Sequence, residues 1–363
     1  MRTVRDIPLF ENIPILVSAP LSVPVEDGRV MNDYRLRRML PTIRFLSERG
    51  ARVILISHIG DQGTETLAPV AEALKKLTSG VSFFGETISA GARAAIRALS
   101  PGEILVLENL RRNRGEKMND PVFARELAAL ADVFVQDSFD TCHRRYASFV
   151  SVPKLLPSYA GILLEEEVQE LSQALVPKHP ALAVIGGAKF STKEAVLTTL
   201  LATYDHVFVG GALANDFLKA SGQEVGKSLV SGGDVSRIKK LLANPKLVLP
   251  VDSIIVNETI LDHGPGTVAL LTALAQKVET ILWNGPLGNY ENGFTDATDA
   301  FARAVVASDA HSVVGGGDTI ASIEGLGLLP RFSFVSTGGG AMLEFLAHGT
   351  LPGIEALESH PST

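Results

Sequence analysis

Two patterns of apolar and polar residues alternate along this chain. Short runs rich in valine, isoleucine and leucine are typical of strands buried on both faces. Between them lie stretches with apolar residues at a spacing of three or four, and this spacing predicts amphipathic helices. The runs that predict strands are "PILVSAP", "ARVILISH", "EILVLEN", "DVFVQD", "ALAVIGG", "DHVFVGG", "KLVLPVD", "ETILWNG", "HSVVGGG" and "FSFVST". Because strands that alternate with helices form parallel sheets, we expect an α/β fold with two doubly wound, Rossmann-like lobes.

A candidate for the join between the lobes is "PSYAGILLEEEVQELSQALVPKHP", residues 157 to 180. Apolar residues at roughly helical spacing are interleaved with acidic ones, and prolines flank the segment on both sides. The pattern predicts a long helix that bridges the two lobes. An ordinary crossover helix within one lobe would have the same pattern.

Length, charge and cysteine content narrow the class of protein. The 363 residues exceed the usual size of one hydrophobic core, which favours two domains. A formal net charge of −7 argues against binding to nucleic acid or to a membrane surface, because both are polyanionic. The single cysteine, Cys142, excludes an internal disulfide, and no apolar run is long enough for a signal peptide or a membrane span. We therefore expect a cytoplasmic protein.

Glycines gather at the predicted strand ends after position 180. In doubly wound sheets, ligands bind outside the carboxyl ends of the strands, where loops lead into helix N-termini. The stretch "VVGGGDT" (313 to 319) fits either a tight turn or a loop whose bare backbone a phosphate can approach. These glycines are Gly186, Gly187, Gly210, Gly211, Gly285, Gly288, Gly315, Gly316, Gly317, Gly338, Gly339 and Gly340. The second half of the chain is thus the candidate phosphate-binding half.

Charged residues beside these glycines suggest phosphoryl transfer. In "IGGAKFSTK" (185 to 193), a helix that starts at Ser191 or Thr192 places Lys189 in the loop and Lys193 in the first turn. Asp318 provides an oxygen ligand for magnesium. Surface lysines and a helix N-cap are the plainer interpretations of these residues. Neither a Walker-A sequence nor a protein-kinase catalytic loop is present.

Seven motifs together resemble one family. They are "LENLR" (107 to 111), "QDSFDTCHR" (136 to 144), "GGAKFSTK" (186 to 193), "LPVD" (249 to 252), "WNGPLGNYE" (283 to 291), "GGGDT" (315 to 319) and "STGGGAMLE" (336 to 344). In this order, and with the terminal "LPGIEAL", they resemble the phosphoglycerate kinase family almost from end to end.

This resemblance implies an enzyme with two lobes and a hinge. It would transfer a phosphoryl group reversibly between 1,3-bisphosphoglycerate and ADP, giving 3-phosphoglycerate and ATP, as the lobes close. We expect an acid-binding lobe at residues 1 to 158, an interdomain helix at 159 to 178 and a nucleotide-binding lobe at 179 to 348. Residues 349 to 363 would return toward the first lobe.

The resemblance also implies roles for individual residues. Lys189 would contact the transferring phosphoryl group, Lys193 the nucleotide phosphates, Asp318 the magnesium ion and Glu291 the ribose. The expected catalytic residues are Lys189, Arg35, Gly316 and Gly339. The expected nucleotide-binding residues are Gly187, Lys189, Lys193, Gly210, Gly211, Asn284, Pro286, Glu291, Gly315, Gly316, Gly317, Asp318 and Thr319.

In the first half, four residues match the family's substrate-binding positions. We call Arg35, His58, Arg111 and Arg144 the basic cluster. A guanidinium group suits phosphate and carboxylate because it donates paired hydrogen bonds and keeps its charge. Each residue taken alone also fits an ordinary surface or strand-end position.

The chain departs from the family pattern close to this cluster. Ser18, Pro20 and Ser22 stand where the family has Arg, Asp and Asn, and Asp61 stands where it has Arg. If the first strand continues through these residues, the three changes alter one face of it. A smaller departure is Asp140, where the family has glycine. We expect weak, poorly selective binding of 3-phosphoglycerate and a raised Michaelis constant.

Three functions remain open from the sequence. They are a phosphoglycerate kinase with an altered acid site, a related kinase for another carboxylate, and a nucleotide-binding pseudoenzyme. In each case we expect small-molecule partners, Mg²⁺ with ATP or ADP, and a monomer that binds neither nucleic acid nor membrane.

Overall fold

A computed structural model describes residues 1–358, which form two compact units. Unit 1 contains Met1–Val168 and the described residues after Gly349, and unit 2 contains Gln169–Gly349. The division falls inside a helix over Ile162–Leu175, within the segment predicted as the interdomain helix. Residues 359 to 363 of the predicted C-terminal segment lie outside the described residues.

Unit 1 is built on one sheet of six parallel strands. Its strands are β1 (Pro14–Ser18), β2 (Val25–Glu26), β3 (Arg29–Val30), β4 (Arg52–Ile56), β5 (Val81–Phe84), β6 (Ile104–Leu107), β7 (Val133–Gln136) and β8 (Ser158–Ala160). Its helices are α1 (Tyr34–Ser47), α2 (Ala68–Lys75), α3 (Ala90–Ala98), α4 (Arg114–Lys117) and α5 (Pro121–Ala128), followed by α6 (Ile162–Leu175), which continues into unit 2. The spatial order of the sheet is β5-β6-β4-β1-β7-β8, and β2 and β3 form a separate hairpin.

The register of this sheet brings three strand ends together. Ser18 at the end of β1 pairs with Ile56 of β4 on one side and with Gln136 of β7 on the other. Because the strands are parallel, the loops that follow them leave from the same edge. All four members of the basic cluster lie on that edge or on α1 beside it.

Unit 2 repeats the architecture. Its strands are β9 (Ala181–Ile185), β10 (His206–Val209), β11 (Leu247–Val248), β12 (Ser253–Val256), β13 (Thr259–His263), β14 (Thr280–Asn284), β15 (His311–Gly315) and β16 (Phe334–Val335). Its helices are α7 (Glu194–Thr203), α8 (Leu213–Ala220), α9 (Val235–Leu242), α10 (Pro265–Ala275), α11 (Asp296–Val306), α12 (Gly317–Gly325) and α13 (Gly339–His348). The parallel sheet has the order β11-β10-β9-β14-β15-β16.

The predicted α/β class with two parallel sheets is confirmed. Every residue of β9 and of β14 is buried, as expected for strands covered on both faces. The strand prediction missed β5 and β8, which lie at the two edges of the first sheet, and it missed the β2/β3 and β12/β13 hairpins.

The last described helix, α14 (Pro352–Glu358), belongs to unit 1. The amide of Gly353 donates to the carbonyl of Cys142 at 3.0 Å, and Ile354 and Leu357 are buried. Among residues 1–358, no helix combines the length and the apolar character needed to cross a membrane.

Candidate active site

The glycine-rich loops of unit 2 touch one another through their backbones. Ile185, Asn284 and Gly315 occupy one line across β9, β14 and β15, so the loops that follow start side by side. A methyl group added at Gly285 would lie 2.6 Å from the carbonyl carbon of Gly186, and one at Gly339 would lie 2.9 Å from Cα of Gly316. These distances leave no room for a side chain. Many of the glycines are therefore required by loop packing, whether or not a ligand binds.

The three glycines at the end of β15 have three different explanations. A side chain at Gly315 would collide with Sδ of Met342. Gly316 has a φ of +103°, which L-residues rarely adopt, and it is the N-cap of α12. At Gly317 an added methyl group would meet no atom within 4 Å. The fold therefore requires glycine at the first two positions but not at Gly317.

Unit 2 contains a cavity of about 400 Å³ beside these loops, which we call the nucleotide cavity. It lies outside the carboxyl ends of the strands, the usual ligand position in such sheets. Five of the predicted nucleotide-binding residues line it: Gly187, Gly211, Pro286, Glu291 and Asp318.

Three carboxylates, those of Asp262, Glu291 and Asp318, line the nucleotide cavity. Loss of part of its water shell, and secondly the charge of Glu291, raise the pKa of Asp318. Asp318 is the second residue of α12, whose first backbone N–H groups have no partner within the helix. A positively charged ion at this position would relieve the repulsion between Asp318 and Glu291.

The two predicted lysines flank the loop after β9. Lys189 is exposed and precedes a 3-10 turn over Phe190–Thr192. Helix α7 begins at Glu194, so the expected helix start at Ser191 or Thr192 is wrong, and Lys193 is the residue just before the helix. The Lys193 ammonium group lies 3.3 Å from the position that a methyl group on Gly187 would occupy. Burial lowers the pKa of Lys193.

Three further predicted residues support the loops. Asn284 donates from Nδ2 to the carbonyl of Gly339 at 3.3 Å, which ties the end of β14 to the start of α13. The amide of Gly210 donates to the carbonyl of Ile185 at 2.9 Å. Thr319 is fully buried, and its hydroxyl has no hydrogen-bond partner within residues 1–358.

Sequence reasoning missed several polar residues of the nucleotide cavity, among them His263 and Asn215. His263 accepts a hydrogen bond at Nε2 from the amide of Gly211 at 3.1 Å, so the neutral ring carries its proton on Nδ1. Burial lowers the pKa of His263 to about 4. The Asn215 amide donates to the carbonyl of Leu229 at 3.0 Å. No motif pointed to either residue, because both reach the cavity only through the packing of α8 and β13.

In unit 1, His58 of the basic cluster is buried and paired. Its Nε2 lies 2.7 Å from Oε1 of Glu116, and the same carboxylate accepts from the hydroxyl and the amide of Ser148. The imidazole ring stacks on Phe149 at 5.5 Å and meets Tyr146 edge-on at 5.6 Å. Glu116 lies in a charged stretch that looks solvent-exposed in the sequence, so no signal identified it as the partner.

Arg111 is anchored beside His58. Its guanidinium group lies over the Tyr146 ring at 6.0 Å and donates to the carbonyl of Gly60. It also lies 3.6 Å from Oδ1 of Asp61. The neighbouring Arg112 pairs with Glu108 at 3.0 Å.

Arg35 reaches the same edge of the sheet from α1. Its Nη1 donates to the carbonyl of Ser22 and lies 3.5 Å from Oδ2 of Asp140. Arg144 is exposed, and its amide donates to the carbonyl of Thr141 at 2.9 Å, in the turn that contains Asp140. Tyr146 therefore links His58 to Arg111, and the turn after β7 links Arg35 to Arg144.

The altered segment after β1 is not a strand. β1 ends at Ser18, and Ala19, Leu21 and Val23 join the hydrophobic core. β1 carries Ser18 but not Pro20 or Ser22, so the expectation that one strand carries all three residues is wrong. Ser18 and Pro20 are buried, and Ser22 is half-buried.

Two parallel α/β units, one of which has glycine loops and a carboxylate beside a cavity, are the architecture that the sequence resemblance led us to expect. Comparison with known proteins agrees with this expectation. The family model described as phosphoglycerate kinase matches residues 4–349.

Individual relatives match over nearly the whole chain. The phosphoglycerate kinase of Moorella thermoacetica is 41% identical over 98% of both chains, and that of Azorhizobium caulinodans is 41% identical over 94% of this chain and 96% of its own. Among solved structures, phosphoglycerate kinase from Pyrococcus horikoshii has a TM-score of 0.90 at 30% identity, with 99% of this chain and 98% of that chain covered. The Coxiella burnetii structure has a TM-score of 0.83 at 37% identity, with 98% of both chains covered.

The chain belongs to the phosphoglycerate kinase family. It is a phosphotransferase with a carboxyl group as acceptor, and its substrates are small molecules, among them ATP and ADP. These matches do not favour the alternatives of another acid substrate or of a pseudoenzyme.

Proposed function

We propose that the nucleotide cavity of unit 2 binds ADP or ATP, with the phosphates at the start of α12. The observation that carries this proposal is the meeting of the loops after β9, β14, β15 and β16 around one helix start. Gly317 is consistent with it, because packing does not require glycine there and a bare backbone lets a phosphate approach closely. Backbone amides and the helix dipole favour an anion at this point.

Lys189, Lys193 and Thr319 each contact a different part of the phosphate chain. Lys189, exposed at the mouth of the loop, contacts the transferring phosphoryl group, and Lys193 contacts the nucleotide phosphates. The Thr319 hydroxyl, which has no hydrogen-bond partner within residues 1–358, donates to a phosphate oxygen. Glu291 accepts from the ribose hydroxyls, and Gly210, Gly211 and Pro286 line the base pocket. Gly316 and Gly339 present backbone at the point of transfer.

The residues of the cavity wall fit a magnesium ion. Asp318 supplies a hard oxygen ligand, and its pKa is raised first by burial and then by the charge of Glu291. Asp318 would hold the magnesium ion. The bound ion would neutralise part of the negative charge of the phosphates. Asp318 also needs this compensation because its carboxylate otherwise repels the nucleotide.

The basic cluster of unit 1 binds the acid substrate. Arg35, Arg111 and Arg144 supply cationic donors at the carboxyl ends of β1, β4, β6 and β7. His58 is the fourth predicted member of the cluster, and Glu116 fixes the orientation of its buried ring. Arg35 also contributes to catalysis by holding the acceptor carboxylate.

We further propose that the enzyme works as a cytoplasmic monomer without nucleic acid or membrane partners. The net charge of −7 supports the absence of nucleic acid and membrane partners, since both are polyanionic and would be repelled.

The test is a coupled assay of ADP phosphorylation by 1,3-bisphosphoglycerate, together with calorimetry of magnesium ADP. Turnover should occur, and Asp318→Asn should reduce it strongly and remove most of the gain in ADP affinity that magnesium provides. The matched control is Asp309→Asn, which neutralises an exposed aspartate at the opposite end of β15. Absence of nucleotide binding at millimolar ADP, or an equal effect of both substitutions, contradicts the proposed nucleotide site.

A further inference from the structure

Two arginines of the basic cluster already have carboxylate partners from this chain. Arg35 Nη1 lies 3.5 Å from Asp140 Oδ2, and Arg111 Nη1 lies 3.6 Å from Asp61 Oδ1. Both aspartates are departures from the family pattern. A carboxylate beside a guanidinium group occupies the kind of position that a substrate carboxylate or phosphate would use.

Exposure separates the two aspartates. The side chain of Asp61 is 95% exposed, whereas that of Asp140 is 5% exposed. Water and salt screen an exposed ion pair, so such pairs contribute little. Screening is much weaker for a charge removed from water. Asp140 therefore influences its arginine more strongly than Asp61 does, although the sequence drew attention to Asp61.

The fold also holds Asp140 in place. The hydroxyl of Ser138 donates to its Oδ1 at 2.6 Å, and Asp140 lies in a 3-10 turn over Phe139–Thr141, directly after β7. Phe139 and Thr141 on either side of it are buried. Because the turn and Ser138 fix the carboxylate, it cannot move far from Arg35 when another anion arrives.

We propose that Asp140 determines acid-substrate specificity, as a resident counter-ion that competes with the substrate for Arg35. The inference rests on the proposed role of Arg35 in acid binding. A substrate anion must either share the Arg35 guanidinium group with Asp140 or displace Asp140 from it. Either requirement lowers the affinity of the site for the substrate. The site therefore discriminates against highly charged acids by means of one fixed negative charge.

The test compares Asp140→Asn with the wild type in the direction that consumes ATP and 3-phosphoglycerate. The Michaelis constant for 3-phosphoglycerate should fall about tenfold, equivalent to about 1.4 kcal/mol, while that for ATP stays unchanged. Asp140→Glu, which keeps the charge, should keep the wild-type constant. Asp61→Asn should change it less than about twofold.

The matched control is Asp33→Asn, which neutralises a half-buried aspartate paired with Arg37 at 2.8 Å just before the same helix. It should leave both Michaelis constants unchanged. If Asp140→Asn does not fold, Asp140→Gly and Ser138→Ala serve as second variants, with the same direction of change expected.

Direct titration of 3-phosphoglycerate in the absence of nucleotide separates this inference from the proposed function. If the wild type binds ADP but turns over no phosphoglycerate, the proposed function is wrong, and the titration still tests Asp140. Tighter binding by the neutral variants supports the resident counter-ion. Equal or weaker binding by folded Asp140→Asn and Asp140→Gly overturns it.

Discussion

At the scale of the residue, substitution of Gly317 tests whether ligand binding, and not folding, requires glycine. A methyl group there meets nothing within 4 Å, and the position is in the first turn of α12. Gly317→Ala should raise the free energy of unfolding by about 0.5 to 1 kcal/mol, because alanine loses less backbone entropy. If phosphate approaches this backbone, the same change should weaken ADP binding about tenfold. Denaturant unfolding and calorimetry measure the two effects.

Gly325 provides a matched control on the same helix. An added methyl group there also meets nothing within 4 Å, but the residue is at the far end of α12. Gly325→Ala should therefore stabilise the protein without changing ADP affinity. Unchanged ADP binding by Gly317→Ala would remove the main support for phosphate at this helix start.

Lys189 and Lys193 should respond differently to substitution. Lys189→Ala is expected to lower kcat by about 100-fold with little loss of ADP affinity, since its contact strengthens in the transition state. Lys193→Ala should mainly weaken nucleotide binding. Steady-state kinetics combined with calorimetry make the comparison, with exposed Lys219→Ala on α8 as the control. Equal losses of kcat and affinity in Lys189→Ala would make it an ordinary binding lysine.

At the scale of the element, one buried carboxylate joins β7 to α6. Asp137, just after β7, accepts hydrogen bonds from the amides of Leu163 and Leu164 in the first turn of α6. A carboxylate at a helix start satisfies N–H groups that lack partners within the helix. Burial nevertheless raises the pKa of Asp137 to about 7.

This raised pKa predicts a pH dependence. An unfolded aspartate has a pKa of about 3.9, so the folded state binds more protons between that value and about 7. The stabilising contribution is fully present below about pH 4 and is lost as the pH rises through 7, with an upper limit of about 4 kcal/mol. Asp137→Asn should flatten this fall in the stability of unit 1 between pH 5 and pH 8.

The measurement is denaturant unfolding at pH 5 and at pH 8. The quantity compared is the change in the free energy of unfolding between these pH values, in the variant and in the wild type. Asp132→Asn, an exposed aspartate before β7, should keep the wild-type dependence. The difference is needed because His263 acts in the opposite sense. Its folded pKa of about 4 is below the ordinary value, so its contribution is present above about pH 6.5 and falls as the pH decreases toward 4. An unchanged pH dependence in Asp137→Asn would mean that Asp137 is ionised in the fold throughout this range.

At the scale of the whole molecule, unit 1 is discontinuous in sequence and unit 2 is continuous. Helix α14 supplies buried Ile354 and Leu357 to unit 1, although it follows all of unit 2 in the chain. Leu357→Ala should destabilise unit 1 by about 2 to 5 kcal/mol through the lost apolar contacts and the cavity left behind. ADP affinity should be unchanged, because the nucleotide cavity lies within unit 2.

Hydrogen exchange resolved by peptide measures this selectivity. Amides of β1, β4 and β7 should lose protection, while amides of β9, β14 and β15 should keep it. The control is Leu155→Ala, since Leu155 is 47% exposed in the same unit. Equal loss of protection in both sheets would show that the units unfold together.

The sequence alone determined the class of fold, and it predicted which half of the chain binds the nucleotide. Ten apolar runs predicted ten sheet strands, because a strand buried on both faces needs a continuous apolar run. It missed β5, which contains an exposed serine and is only partly buried, and β8, which has only three residues and begins with serine. Glycines, Lys189, Lys193 and Asp318 lie in short motifs, so neighbours along the chain specify them.

Only the tertiary structure decided which partner each charged residue has. Asp140 with Arg35, Glu116 with His58 and His263 with Gly211 join segments that are far apart in sequence, and each pair depends on sheet register and loop path. Burial also distinguished Asp140, whose side chain is largely buried, from the exposed Asp61. The sequence shows only two aspartates and does not reveal this difference. The physical reason is that the interaction energy of a charged group depends on how much water screens it and on which groups face it. Both are properties of the folded chain.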